Sequence, residues 1–126
     1  MSHCCNGCSC KTVLFYACSG GANVGEIADR AARQLMYDGV GPMFCTAAVG
    51  AKVDDFIQTA KDADMNVLID GCGMDCAKKC FEDAGISNYV QIRVTDLGIE
   101  KAKPQAATDD EVAKVVAKVK EVAANA

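Results

Sequence analysis

The sequence predicts a three-layer α/β domain: a mostly parallel four-stranded sheet with helices on both faces, in a flavodoxin- or Rossmann-like strand order 2-1-3-4. Three observations lead there. Short apolar runs alternate with longer stretches of helical periodicity, four times over. The short runs are apolar throughout rather than alternating, as strands covered on both faces are. The chain has 126 residues, 51% of them hydrophobic, enough for the core of one ordinary domain.

The elements follow in order. Val13 to Ala17 reads as the first strand, ended by Cys18-Ser19-Gly20-Gly21. Val24 to Tyr37 places Ile27, Ala31, Leu35 and Met36 at helical spacing, and Asp38-Gly39 stops it. Met43 to Ala48 is expected as the second strand, and Val53 to Ala63 as a helix with Val53, Phe56, Ile57 and Ala60 on one face. Asn66 to Asp70 is the third strand, Met74 to Ala84 a helix stopped by Gly85, and Tyr89 to Val94 the fourth strand. Asp109 to Ala124 closes the chain as a helix, with Thr108 and Glu111 spaced for a capping box. Residues 1–10 are set apart as a cysteine-rich tail, and residues 11–126 form the single domain.

Charge narrows the partners. A formal net charge of -4 repels phosphate backbones, so no nucleic acid is expected. No apolar run approaches the roughly 20 residues of a membrane span, and the N-terminus lacks the pattern of an export signal. The sequence therefore places the protein in the cytoplasm, with no membrane partner, where thiols stay reduced. Nothing in it identifies a protein partner.

Nine cysteines in that setting dominate the chemistry. An odd number without an export signal does not fit a disulfide scaffold, and buried small-residue packing accounts for one or two of them. On the strand–helix plan, Cys18 follows the first strand, Cys45 lies in or near the end of the second, and Cys72 follows the third. Cys76 stands four residues on, in the first turn of the next helix, on one helical face with Cys72. Ligands of open α/β sheets bind outside the carboxyl ends of the strands, where strand order reverses. Four thiolates from three βα units on that edge suit zinc, and an iron–sulfur cluster or another soft metal is the alternative. A helix N-terminus beside Cys72 and Cys76 favours anionic sulfur.

Several motifs then carry a resemblance. Cys-Ser-Gly-Gly-Ala-Asn-Val-Gly at Cys18 to Gly25, Ile-Asp-Gly-Cys at Ile69 to Cys72, Cys-Ala-Lys-Lys from Cys76, and Leu-Gly-Ile-Glu-Lys at Leu97 to Lys101 together resemble the DGC-domain family of zinc-binding proteins. That family is named for the triplet standing here as Asp70, Gly71 and Cys72. The resemblance runs from about Lys11 to near the C-terminus. It implies four chelating cysteines, at Cys18, Cys45, Cys72 and Cys76, and implies no particular reaction.

The remaining candidates weigh less. Cys80 extends the Cys72–Cys76 face and reads as a packed small residue, with a ligand role as the alternative. Cys4, Cys5, Cys8 and Cys10, with His3, form either a second soft-metal clamp or a disordered tail. The Ser19 to Gly25 loop lacks the Walker and Gly-x-Gly-x-x-Gly patterns and reads as the turn that places Cys18. His3 is the single histidine and precedes the domain, which excludes a Cys-His pair or a Ser-His-Asp triad within the fold. Lys78 and Lys79 read as a solvated helix face. Two functions stay open: a metal-binding module that stores, delivers or senses a soft metal, and a thiol redox or sulfur-transfer enzyme using the same cysteines.

Overall fold

A computed structural model describes residues 11–125. The expectations for the tail cysteines and His3 lie outside those residues. Three strands form one all-parallel sheet in the order β1-β2-β3: β1 is Val13–Ala17, β2 is Met65–Asp70 and β3 is Tyr89–Arg93. Ala17 pairs with Ile69 and Asp70 with Arg93, so all three strands end together at one carboxyl edge.

Five α-helices and one 3-10 turn (Val94–Leu97) accompany the strands among the described residues: α1 (Asn23–Tyr37), α2 (Thr46–Gly50), α3 (Asp54–Asp62), α4 (Cys76–Asp83) and α5 (Asp109–Ala124). Successive strand residues point to opposite faces, and both faces are apolar. Phe15, Ala17, Val67, Ile69 and Ile92 pack against Ile27, Ala31 and Leu35 of α1 and Val112, Val115 and Val119 of α5. Leu14, Tyr16 and Leu68 pack on the other face with Val49 of α2, Ala60 of α3 and Ala77 and Phe81 of α4. Thr108 caps α5 as its spacing predicts: its side chain accepts from the Glu111 N–H at 3.2 Å, and the Glu111 carboxylate accepts from the Thr108 N–H at 3.0 Å.

The expected four-stranded sheet in order 2-1-3-4 is corrected. The segment Met43 to Ala48 contributes one isolated parallel bridge, Met43 to Phe15 on the free edge of β1, and from Thr46 it is helix. The local bonds show why. Phe15 donates to the Pro42 carbonyl at 3.0 Å and accepts from the Phe44 N–H at 2.8 Å, so pairing starts. The Thr46 hydroxyl then donates to the Ala17 carbonyl at 2.8 Å. That carbonyl is thereby engaged by a side chain rather than by a strand partner. Ala47 and Ala48 carry high helix propensity, and the chain turns into α2. With three strands in sequential order there is no reversal of strand order within the sheet itself.

Candidate metal centre

The carboxyl edge gathers the site. Cys18 continues the ladder one step past β1, donating its N–H to the Ile69 carbonyl at 3.1 Å. Its Sγ turns back and accepts the Gly71 N–H at 3.0 Å. The approach is possible because two glycines leave room. A Cβ on Gly25 would stand 2.8 Å from the Gly20 nitrogen, and one on Gly71 2.9 Å from the Val24 carbonyl carbon, both closer than real side chains come. The glycines therefore allow the Cys18 loop, the start of α1 and the end of β2 to pack as one unit.

Cys72 stands two residues past β2, half-buried, and its Sγ accepts from Lys101 Nζ at 3.5 Å. Cys76 is the first residue of α4 and Cys45 the N-cap residue of α2, and both are exposed. Burial pushes the Cys18 thiol up to about 11; the Gly71 N–H opposes this, while Asp70, Cys76 and Cys72 are close enough for their charge to add to it. Cys18, Cys72 and Cys76 line one cavity.

Two adjoining cavities line the edge. One, of about 550 Å³, is bounded by Cys18, Cys45 and Cys76 together with Asp29, Arg33 and Phe44. The other, of about 190 Å³, is bounded by Cys18, Cys72 and Cys76 together with Met74, Lys101 and Lys103. Cys18 and Cys76 face both, Cys45 only the first, Cys72 only the second. Among the described residues no three His, Cys, Asp or Glu side chains stand grouped as a ready metal site. The donors fit a soft cation by chemistry, since four thiols of one sheet edge line two cavities that share Cys18 and Cys76, and two of the thiols are exposed. Holding one ion among all four requires the sulfurs to draw closer together, because no three stand grouped among the described residues.

Cys80 lies half-buried in the cluster with Tyr16, Leu68 and Phe81, and a Cβ on Gly50 of α2 would meet its Sγ at 3.1 Å. Its thiol is raised by burial first, then by the charge of Cys76, Asp70 and Asp83. It lines neither cavity and packs between α4 and α2.

Other residues build the frame. Asp70, fully buried, accepts the N–H groups of Ala77 at 2.8 Å and Lys78 at 3.1 Å, and the Gln91 side chain at 2.9 Å. It caps the helix that begins with Cys76. Asp75, the residue at the N-cap position, is left-handed at φ 54 and provides no side-chain cap. Its carboxylate accepts from Arg93 Nη2 at 2.8 and 3.0 Å and from Arg93 Nε at 3.0 Å, which holds it below the usual carboxylate range, with Gln91 assisting. Lys101 was not expected at the site from spacing alone. Its only signal in the sequence is its place at the end of the Leu97 to Lys101 motif.

The similarities of the chain agree in extent with this architecture. It is 30% identical over 88 residues to the anaerobic and virulence modulator AnvM of Pseudomonas aeruginosa, covering 70% of this chain and 67% of that protein. No solved structure matches it. The DGC domain matches residues 14–119, which take in β1 from Leu14 on, β2 and β3, the four edge cysteines and most of α5. The chain belongs to the DGC-domain family.

Proposed function

We propose that this protein binds a soft metal ion, zinc, as reversible cargo, through the thiolates of Cys18, Cys45, Cys72 and Cys76. The observation that carries the reading is the position of those four thiols around two adjoining cavities at one sheet edge, with Cys18 and Cys76 common to both. Thiolate ligands select zinc and other soft metals over calcium or magnesium. Family membership is consistent with metal binding. Reversible occupancy fits an arrangement in which Cys45 and Cys76 are exposed. It also suits a modulating role in this chain, such as the relative's name describes for that protein.

The test is elemental analysis and visible spectroscopy of protein purified without oxygen. One zinc per chain, lost on replacing Cys72 or Cys76 by Ser, is the expected result. A broad visible absorption with iron and acid-labile sulfide would assign an iron–sulfur centre instead. No bound metal, and none taken up on titration, would rule the reading out.

A second reading has its own support. A lysine against Cys72, beside a cavity shared by three thiols, also suits a thiol redox or sulfur-transfer enzyme. That reading predicts that metal-free protein is the working form and that excess zinc inhibits it.

A further inference from the structure

Lys101 reaches Cys72 because a buried residue holds its loop there. Asn23 is fully buried at the start of α1. Its side-chain amide donates to the Glu100 carbonyl at 2.8 Å, and its side-chain oxygen accepts the Ala102 N–H at 2.7 Å. Its own N–H donates to the Ala102 carbonyl at 3.0 Å. These three bonds bracket Lys101 on both sides. Ile99, 7% exposed, anchors the same loop in the core formed by α1 and α5. The loop joins two sequence-distant motifs, the one from Cys18 to Gly25 and the one from Leu97 to Lys101. The residue left projecting between the clamped neighbours is a lysine whose Nζ lies 3.5 Å from Cys72 Sγ.

Charge gives this contact a purpose. Four thiolates around a divalent ion leave surplus negative charge, on a protein that is already acidic. A donor to a ligand atom orients that ligand and spreads its charge, and such outer contacts commonly govern metal affinity.

We infer that Lys101 is the positioning residue of the metal centre: its ammonium hydrogen-bonds Cys72 Sγ and offsets the charge of the loaded site, so that it sets how tightly the ion is held. The inference rests on the metal-binding reading. Lys101 is not itself a ligand, because an ammonium has no lone pair to give. Removing it should weaken binding without changing the set of sulfurs around the ion.

The experiment compares wild type with Lys101→Met, Lys101→Arg and, as a distant control on α5, Lys118→Met. Zinc affinity is read by competition with a chromophoric chelator, and cobalt(II) is used as a spectroscopic stand-in. Circular dichroism checks the fold, which an exposed side chain such as Lys101 should leave unaltered. Lys101→Met should bind zinc about 10–100-fold more weakly. Lys101→Arg, which keeps the charge, should recover most of the loss, and Lys118→Met should match wild type. The cobalt ligand-field bands should keep their positions in Lys101→Met. Wild-type affinity in Lys101→Met, or equal weakening in Lys101→Arg, would overturn the inference and leave the metal centre standing. A shifted cobalt spectrum in Lys101→Met would overturn it too, by showing an altered ligand set. Wild type that takes up no zinc would remove the metal-binding reading and this inference together.

Discussion

Asp70 Oδ1 accepts the backbone N–H of Ala77 at 2.8 Å, from a side chain with no exposed surface. A strand-end carboxylate thus caps the helix that carries Cys76, while Asp75 at the N-cap position is engaged by Arg93. The aspartate of the Asp70-Gly71-Cys72 triplet is a frame residue on this geometry. Asp70→Ala would leave the N–H groups of Ala77 and Lys78 without their acceptor, while the Gln91 amide keeps its bond to Asp75. We expect a loss of about 2–4 kcal/mol in urea unfolding, from the missing cap and the unmatched buried donors. Metal uptake should weaken with it, because Cys76 is the first residue of the uncapped helix. Full stability in Asp70→Ala would show that water or Asp75 replaces the cap.

The Cys18 thiol, pushed up to about 11 mainly by burial, stays protonated at neutral pH. Iodoacetamide should therefore modify Cys18 more slowly than the exposed Cys45 and Cys76, and its rate should keep climbing as pH approaches 11. The folded protein holds this proton to higher pH than the unfolded chain, whose thiols release theirs near 9.0. The associated stability is present below about pH 9 and is lost as pH rises towards 11. Zinc binding at pH 7 must displace the proton. Calorimetry in buffers of different ionisation enthalpy should give different apparent enthalpies, and identical values would show that no thiol is deprotonated on binding.

Tyr16 is fully buried, its ring edge-on to Phe81 at 4.7 Å, and its hydroxyl has no hydrogen-bond partner among the described residues. Burial raises its pKa far above the usual phenol value. Tyr16→Phe keeps the aromatic contact and removes an unmatched polar atom. Thermal melts should show stability unchanged or raised by up to about 1 kcal/mol. A clear destabilisation would reveal a partner for the hydroxyl.

Leu68 and Ile69 are fully buried on opposite faces of β2. Leu68→Ala or Ile69→Ala should each cost on the order of 2–5 kcal/mol. Cys72→Ser removes little apolar area. It should lose the metal and keep a cooperative transition, forfeiting only the stabilisation linked to bound ion. Wild type in chelator should likewise stay folded at room temperature. If chelation alone unfolds it, the ion is a structural staple rather than cargo.

Local pattern made most elements legible. Val13–Ala17, the helix ending at Tyr37 and the helix Asp109–Ala124 with its Thr108–Glu111 box lie where periodicity and capping residues put them. The short apolar segment from Met43 did not behave as read, because four to six apolar residues are consistent with either a strand or a helix. There the choice was made at long range, by the Thr46 hydroxyl on the Ala17 carbonyl and the single bridge to Phe15.

The candidate site divides in the same way. Placement of Cys18 and Cys72 just after strands, and of Cys76 at a helix start, could be read from the chain, because each depends on the element directly beside it. That Cys18 and Cys76 face two cavities while Cys45 and Cys72 face one each could not. Nor could the cap that Asp70 provides seven residues away, or the arrival of Lys101 at Cys72 from 29 residues along the chain. Periodicity and caps are nearest-neighbour properties that a sequence carries openly. The direction a thiol faces, and the charge set against it, depend on how β1, β2 and the Gly98–Thr108 loop meet, and only the packed core with its Asn23 clamp decides that.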